Sequence, residues 1–438
     1  MQTRRTATDM QTSLRGIAKR ARRDKKARFG NLYRLLNEAN LRECFYQLRR
    51  SAAPGVDRVT FEEYERELET NLADLVKRLK EKRYRAKLVR RKYIPKANGK
   101  KRPLGIPALE DKLLQMGAAV VLSAIYEQDF LECSWGYRLK RGPREASRVL
   151  AGRLYGGRTG WVVEADIKGF FDNILHPWMM KMLAERIEDG AFLQLIAKWL
   201  KAGVLEEDGK VVHPATGTPQ GGIVSPVLAN IYLHYVLDLW FEHRVKKESR
   251  DDVFMLRFAD DFVCAFQHQG DARRFETELT KRLGKFGLSV APEKTRTLPF
   301  SRFKPEPNEG FEFLGFEFRW VQRRTGRMGV RRRTAPKKLC ASVRAFAEWI
   351  KECRNSRMTT LMAAFSRKLR GYWNYYGVRG NSESMARFYG HCLQLLFKWL
   401  NRRSQKQSYT WEGFQAMLRK FAIPRPHIVE PIYQQSFL

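Results

Sequence analysis

Residues 255–266, MLRFADDFVCAF, form the stretch that decides the fold of this chain. On both sides of Asp260 and Asp261, apolar residues alternate with polar or small ones, which is the period of a half-buried strand. The stretch therefore predicts a β-hairpin that carries two adjacent carboxylates at its turn. Aspartate is also a common turn residue, because its side chain bonds nearby backbone N–H groups, so the hairpin alone indicates no function.

A second stretch of sequence indicates a chemical role for these carboxylates. Residues 161–173, WVVEADIKGFFDN, predict an apolar strand that ends on another carboxylate, Asp166. Three carboxylates at the ends of neighbouring strands can hold two Mg²⁺ ions. Such a pair of ions activates an attacking hydroxyl and stabilises the leaving oxygens of a phosphate. We therefore predict a metal site formed by Asp166, Asp260 and Asp261.

Composition indicates the class of partner. The chain has 438 residues, enough for two or three domains, and a hydrophobic fraction of 43% can build sizeable cores. Lysine and arginine total 83 against 47 acidic residues, a formal net charge of +36. A field of this size indicates a polyanionic partner, and nucleic acid is the leading candidate. A run of about 18 apolar residues is needed to span a bilayer, and none occurs in the sequence, so no membrane partner is expected.

The cysteines and the N-terminus indicate the compartment. The six cysteines lie far apart and form no Cys-x-x-Cys pair, which argues against a structural zinc site and a disulfide scaffold. Residues 1–37 hold eleven basic and two acidic residues and lack the apolar core of a signal peptide. A mitochondrial transit peptide has a similar composition, but we favour a partly disordered or helical arm that binds nucleic acid. The expected location is cytoplasmic rather than organellar.

Three further segments predict contacts with a nucleotide or a nucleic acid. Residues 90–107 predict a basic hairpin with Asn98-Gly99 as its two-residue turn, whose cations either face solvent or grip a triphosphate or template. Residues 218–222, TPQGG, form a loop whose glycines allow close backbone approach. Residues 311–318, FEFLGFEF, predict a hairpin that could grip a primer.

Helical patterns lie on either side of this central part. Thr60 and Glu63 form a capping box ahead of one amphipathic helix, and residues 108–130 predict a buried helix. Beyond residue 338 the apolar period predicts a three-helix bundle. Residues 371–376, GYWNYY, would lie between its second and third helices, as core residues or as platforms for exposed bases.

A basic segment precedes the bundle. Residues 319–347 include ten basic residues and no acidic one. We interpret the segment as a domain boundary lined for phosphate contact, with Arg331, Arg332 and Arg333 among the contacting residues.

The ordered set of motifs resembles a reverse transcriptase, and more closely the group II intron reverse transcriptase/maturase family. The resemblance runs from about residue 53 to about residue 426. The matching motifs are AAPGVD, RPLGIP, ADIKGFFDNI, TPQGGIVSPVLANIYL, FADD, LSVAPEKT, FEFLGFEF, GYWNYYGVRGNS and RRSQKQSYTW.

This resemblance implies an α+β fold of the right-hand polymerase type, in which fingers and a palm with an antiparallel sheet are followed by an α-helical thumb. The expected domains are a basic N-terminal extension at 1–50, the fingers and palm at 51–318, the thumb or maturase domain at 319–403, and a C-terminal tail at 404–438.

The resemblance also assigns roles to individual residues. It implies that Asp166, Asp260 and Asp261 are catalytic metal ligands together with the backbone carbonyl of Ile167. Phe171 matches the steric gate that rejects a ribose 2′-hydroxyl. The remaining nucleotide contacts carried over from the family are Arg90, Lys96, Arg102, Gln220 and Lys294, the last near the leaving pyrophosphate.

The chain departs from the family pattern in three places. Phe258 stands where the family usually has Tyr, which removes a hydroxyl but keeps all three carboxylates. Residues 134–142 match a Gly-Phe-Arg-Pro-Gly block only loosely, which puts template contacts there in doubt. After residue 391 the sequence contains only Cys392 and His427 of the residue types that a His/Cys endonuclease needs, so we expect that domain to be absent.

The implied function is RNA-directed DNA synthesis with two Mg²⁺ ions, for which Mn²⁺ could substitute. The expected partners are a primer on an RNA template, dNTPs, group II intron RNA whose splicing the protein would assist, and a DNA target. A homodimer stays open. The alternatives are a domesticated relative in DNA repair or phage defence, and an RNA-binding maturase that needs no polymerase activity.

Overall fold

Helices and strands alternate along the chain in this computed structural model. It describes residues 2–95, 101–218, 221–305, 309–323, 325–403 and 408–431, with side chains from residue 13 onward. Among these residues, no helix combines the length and the hydrophobicity needed to cross a membrane.

The helices have the following bounds: α1 Gln2–Arg23, α2 Glu38–Gln47, α3 Phe61–Arg66, α4 Leu68–Lys80, α5 Leu109–Tyr126, α6 Pro143–Gly156, α7 His176–Ala184, α8 Gly190–Leu200, α9 Ser225–Leu233, α10 Lys246–Glu248, α11 Gln269–Lys285, α12 Pro336–Cys353, α13 Met358–Tyr376, α14 Ser382–Leu400 and α15 Trp411–Lys420. Two π-helical segments, His234–Asp238 and Phe241–Val245, extend α9.

The strands have the following bounds: β1 Val89–Pro95, β2 Lys101–Ile106, β3 Trp161–Asp166, β4 Val204–Leu205, β5 Val211–Val212, β6 Phe254–Phe258, β7 Asp261–Phe266, β8 Arg296–Pro299, β9 Phe311–Phe313, β10 Phe316–Gln322 and β11 Met328–Thr334. They form sheets in the orders β2-β1-β4-β5, β6-β7-β3-β8 and β11-β10-β9.

The central sheet, β6-β7-β3-β8, is antiparallel throughout and confirms the hairpin predicted at residues 255–266. Its side chains alternate between two cores, as the period of two requires. Val163 and Phe262 enter a large core shared with α5, α7 and α9, whereas Val162 and Val263 enter a smaller core shared with β9 and β10. The sheet is therefore covered on both faces, which leaves its ends as the accessible part.

The predicted basic hairpin is present as β1 and β2, paired antiparallel from Arg90↔Ile106 to Pro95↔Lys101. Its tip, including Asn98-Gly99, lies outside the described residues.

Upstream of this hairpin, the capping box is confirmed: Thr60 and Glu63 each accept a backbone N–H of the other. The single helix expected to follow is two helices, α3 and α4, with a break at Glu67, where ψ is 36°. The buried helix expected at residues 108–130 is α5.

The N-terminal residues do not behave as a separate extension. Phe29, Leu41 and Phe45 are buried in the same core as α5, and Arg186 of the palm donates to the backbone carbonyl of Asp24 at 3.1 Å. The basic arm predicted at residues 1–37 as partly disordered or helical is helical over Gln2–Arg23, and Ala21, Phe29 and Leu32 are buried in the main core. The high content of basic residues is typical of an exposed arm, although apolar residues at positions 21–48 complete the core.

The predicted three-helix bundle is confirmed as α12, α13 and α14, but its edges differ from the expected ones. GYWNYY is the last part of α13, and the ring of Tyr372 stacks on Phe388 with centroids 3.8 Å apart. The expected C-terminal tail contains α15, whose Phe414 is buried in the bundle core. The expected domain boundary at residue 319 falls inside β10. The hairpin of β10 and β11 is therefore not divided there, and it leads into the bundle.

Arg331, Arg332 and Arg333 do not form the phosphate-binding surface expected of them. Arg331 pairs with Glu383 and Arg333 with Glu317. Arg332 is buried, donates to both carboxylate oxygens of Glu430 at 2.9 and 2.7 Å, and donates to Ser147 at 3.1 Å. Glu430 neutralises Arg332 inside the protein, whereas Glu383 and Glu317 are each shared with a second arginine, Arg387 and Arg319, so only part of the expected basic surface is withdrawn from phosphate contact.

We expect Glu430→Gln to lower the free energy of unfolding by about 3–5 kcal/mol, because it leaves the buried Arg332 without its counter-charge. Chemical denaturation of purified protein measures this change. The control is Glu383→Gln, which breaks the exposed pair with Arg331 and should alter stability little. Equal effects of the two substitutions would show that Arg332 finds another partner.

Candidate active site

The register of two strands brings the carboxylates together. Asp166 ends β3 directly opposite Asp261, the first residue of β7. Asp260 precedes it in the hairpin turn, and the backbone carbonyl of Asp260 accepts from the N–H of Ile167 at 3.4 Å. The predicted constellation at the end of the central sheet is therefore present.

These carboxylates repel one another in a partly buried place. Burial first, and then the charges of Asp166, Glu164 and Asp260, raise the pKa of Asp261 to about 8. Burial and Asp166 also raise the pKa of Asp260, against the opposing effects of Lys294 and Arg102. The site has more negative charge than its protein surroundings neutralise, which favours a bound cation.

Lys294 partly neutralises the negative charge of these carboxylates. It ends a 3₁₀ turn, Pro292–Lys294, and its Nζ lies 2.6 Å from Oδ2 of Asp166. This hydrogen bond raises the pKa of Lys294, whose side chain remains 59% exposed. Glu164, on the same strand, pairs with Arg296 at 2.8 Å.

The donor set suits a hard divalent cation, because Mg²⁺ prefers carboxylate and carbonyl oxygens. Within the described ranges, however, no group of three Asp, Glu, His or Cys side chains converges as a ready-made metal cage. The Lys294 ammonium takes up part of the charge of Asp166 instead. The residues fit a metal site by their chemistry and charge, with one carboxylate held by a lysine.

Phe170 and Phe171 lie beyond the end of β3, on a 3₁₀ turn at Phe170–Asp172. Phe170 is buried in the large core, 6.4 Å from the ring of Tyr232. Phe171 is half-buried, its ring edge-on to Tyr137 at 6.4 Å, and its carbonyl accepts from Thr218 at 2.8 Å. Both rings contact the large core, but Phe170 is fully inside it whereas Phe171 lies at its edge, against Tyr137.

Of the expected nucleotide contacts, Lys96, which follows β1 in the sequence, and Gln220 lie outside the described residues. Arg102 is exposed on β2, close enough to Asp260 for its charge to act on that pKa. Arg90 is half-buried and donates to the Pro54 carbonyl at 2.6 Å, and its Nε has no hydrogen-bond partner among the described atoms.

The glycine-rich loop approaches the basic hairpin at one close contact. At Gly221, φ is 118°, and a Cβ there would lie 2.4 Å from the carbonyl oxygen of Gly105. Glycine is therefore needed for both backbone conformation and space. The contact places the loop beside β2, on which Arg102 lies.

A cleft of about 730 Å³ runs from the carboxylates to the helical bundle. Two tyrosines at the end of α13 form part of its wall: Tyr375 Oη donates to the carbonyl of Leu314 at 3.0 Å, and Tyr376 Oη would lie 3.0 Å from a Cβ at Gly315. The sequence left this segment open between core residues and platforms for exposed bases, and the structure places these two tyrosines on the cleft wall. Among the other cleft residues, Glu164, Arg296 and Glu312 were given no role by the sequence, whereas Lys337 and Lys338 belong to the basic segment predicted to contact phosphate.

Phe258, which replaces the family's tyrosine, is half-buried against the smaller core. It pairs across the hairpin with Asp261, so the carboxylates keep their register without the hydroxyl.

Comparison with known proteins identifies the family of this chain. The sequence profile described as reverse transcriptase (RNA-dependent DNA polymerase) matches residues 94–318, which include all three carboxylates. The chain belongs to the reverse transcriptase family. This membership confirms the α+β fold and the enzyme class expected from the motifs, and it implies RNA and nucleic acid partners and a general dependence on divalent metal ions.

Individual relatives indicate to which branch of the reverse transcriptase family the chain is similar. Protein YkfC of Escherichia coli strain K12 is 32% identical over 351 residues, covering 72% of this chain and 90% of YkfC. The group II intron-encoded protein LtrA of Lactococcus lactis subsp. cremoris is 45% identical over 167 residues, 38% of this chain and 27% of LtrA. Nuclear intron maturase 4, mitochondrial, of Arabidopsis thaliana is 26% identical over 133 residues, 30% of this chain and 16% of that protein.

These relatives confirm that this reverse transcriptase is of the group II intron reverse transcriptase/maturase type. The chain spans most of YkfC but about a quarter or less of LtrA and the plant maturase.

Proposed function

We propose that this reverse transcriptase extends a primer on an RNA template at the Asp166, Asp260 and Asp261 site, with two Mg²⁺ ions and dNTPs as substrates. One observation carries the proposal: Asp166 faces Asp261 across β3 and β7, beside Asp260, in surroundings too poor in positive charge to neutralise them. The three carboxylates and the Ile167 carbonyl would hold the ions, for which Mn²⁺ could substitute. The ions supply activation of the primer 3′-hydroxyl and stabilisation of the leaving oxygens.

The protein's own cations would orient the triphosphate. Arg102 lies exposed near Asp260, with Arg90 on the same hairpin, and Lys96 is the sequence-predicted third cation. The exposed ammonium of Lys294 is tied to Asp166, where it would lie near the leaving pyrophosphate. Cations in these places neutralise the charge that develops in phosphoryl transfer.

The cleft would hold the primer–template duplex. Its wall combines the Leu314-Gly315 turn with Tyr375 and Tyr376, so the predicted primer-gripping hairpin is braced by the bundle. Lys337 and Lys338 are exposed at the start of α12 and line the same cleft. They would contact backbone phosphates in place of the arginines that the ion pairs of β11 neutralise.

A maturase role is the second function that we propose. The intron-encoded relatives and the net charge of +36 support binding of group II intron RNA to assist splicing, and a DNA target for intron mobility. These relatives favour the intron role over DNA repair or phage defence. All six cysteines are free, which suits a reducing compartment such as the cytoplasm.

We expect Asp260→Ala to reduce primer extension on an RNA template to background, because it removes a proposed ligand of the metal ions. The measurement is single-nucleotide extension in Mg²⁺, alongside RNA binding, which should survive. Asp252→Ala, at an exposed aspartate before β6, is the matched control and should extend normally. Wild-type extension by Asp260→Ala would refute the site assignment.

We expect Phe171→Ala to incorporate ribonucleotides far more readily than wild type while keeping some activity with dNTPs, because the half-buried ring would block a 2′-hydroxyl. Phe170→Ala should instead lose about 3–5 kcal/mol of stability as a large-to-small core substitution. Incorporation of dNTP and rNTP, with thermal melting, distinguishes the two. Relaxed sugar selection in Phe170→Ala alone would show that the steric gate is misassigned.

We expect Lys337→Gln with Lys338→Gln to make the slope of log K against log salt less negative by roughly 1–2 for primer–template binding, by loss of counterion release. Titration of labelled duplex at several salt concentrations measures the slope. Lys281→Gln with Lys285→Gln, two exposed lysines of α11 outside the cleft lining, is the charge-matched control. Equal changes would show only an effect of net charge.

A further inference from the structure

Arg257 lies on β6, two residues before the turn that carries Asp260, and is fully buried. A buried guanidinium is costly unless it is paired and all its donors are satisfied. An apolar residue would fit the alternation of the hairpin equally well. The charge at this position therefore needs a reason.

Asp238, which ends the first π-helical segment, supplies the counter-charge and is fully buried as well. Arg257 Nε and Nη2 donate to its two carboxylate oxygens at 2.7 and 2.6 Å. This bidentate geometry is rigid, because both planar groups are fixed by two parallel hydrogen bonds. The pair links the strand that leads to the active-site turn with the helix behind it.

The remaining donors of Arg257 fix three other segments. Nη1 donates to the backbone carbonyl of Ala259 at 3.0 Å and to Oδ1 of Asn230 at 3.1 Å. Nη2 also donates to Oγ of Ser134 at 2.8 Å. Since a guanidinium has five N–H donors, all five are used.

Ala259 is the residue that this network holds in an unfavourable backbone conformation. Its φ is 59°, in the left-handed region that residues with a Cβ rarely adopt. Gly136 packs so closely that a Cβ there would lie 2.4 Å from the Ala259 nitrogen. The Arg257 guanidinium and Gly136 therefore both contact the backbone of Ala259. The next residue of this turn is Asp260.

The same network reaches the nucleotide side of the site. The backbone of Arg257 pairs with Cys133 and Trp135 through two hydrogen bonds of 2.8 Å. Tyr137 follows in this segment, with its ring edge-on to Phe171. One guanidinium thus fixes both the carboxylate turn and the segment that carries Tyr137.

We propose that Arg257 and Asp238 form a positioning pair that holds the Ala259-Asp260 turn in its working orientation and aligns it with the segment carrying Tyr137. The pair acts through the turn and touches no substrate. This inference rests on the proposed polymerase function and adds to it the residues that set the geometry of the metal-binding carboxylates.

The experiment replaces the pair by apolar residues of similar size, Arg257→Met with Asp238→Leu. Such replacements of buried ion pairs often preserve stability. We expect wild-type denaturation and duplex binding, with kcat for single-nucleotide incorporation lower by about 100-fold, the scale of a 1 Å misplacement. Normal folding with wild-type kcat would overturn the inference, because it would show that the pair is only structural.

If the double variant does not fold, the single substitution Arg257→Lys tests the inference instead. Lysine keeps the charge beside Asp238 but cannot reproduce the planar fork that reaches Ala259 and Ser134 together. We expect this variant to fold and to have a reduced kcat, with duplex affinity unchanged. A wild-type kcat in Arg257→Lys would overturn the inference.

The control is the ion pair of Arg186, which is buried, with Asp129, which is partly buried; their Nε and Oδ2 lie 2.9 Å apart. Arg186→Met with Asp129→Leu removes a charge pair away from the turn and should leave kcat unchanged. An equal loss of kcat there would overturn a specific role for Arg257. Failure of the wild-type protein to extend any primer would instead refute the proposed function itself.

Discussion

Electrostatic repulsion among carboxylates at one end of the central sheet is the constraint on which the rest of the structure depends. The register of β3 and β7 places Asp166 opposite Asp261, and burial prevents water from screening their charges. Such an arrangement opposes folding unless cations compensate. Lys294 supplies one such cation, and a bound divalent ion would supply more. The chain therefore keeps three carboxylates close together at one end of the sheet, where burial and their mutual charge raise the pKa of Asp260 and Asp261.

The architecture makes this cluster rigid. Both faces of the sheet are buried, in cores that draw on the palm helices and on β9 and β10. The strained turn at Ala259 is held by the buried guanidinium of Arg257 and by close contact with Gly136. Strain of this kind persists only where the surroundings determine the conformation more strongly than the backbone preference. The reactive end of the sheet is thus the accessible part of an otherwise covered element.

Charge is divided between structure and ligand binding in a way that composition does not reveal. Arg332 is neutralised by Glu430 inside the protein, whereas Lys337 and Lys338, a few residues later, remain exposed in the cleft. A positively charged chain can therefore present a binding surface much smaller than its net charge of +36 implies. The distinction matters because counterion release reflects only the cations that contact phosphates.

The sequence by itself determined the features that depend on neighbouring residues. The alternation around Asp260, the capping box of Thr60 and Glu63 and the helical periods of the bundle are local, because each arises from residues within a few positions of one another. The strand pattern ending at Asp166 also predicted that this residue would join the hairpin carboxylates, and the ordered motifs added the family.

Only the tertiary structure decided which distant residues become partners. It paired Arg332 with Glu430, 98 positions away, and Arg257 with Ser134, 123 positions away, and it brought Tyr375 to the carbonyl of Leu314. It also placed Phe29 and Phe45 in the main core, although their segment is basic in composition. No local pattern encodes such contacts, because an ion pair or a ring contact depends on where the folded backbone brings two segments together.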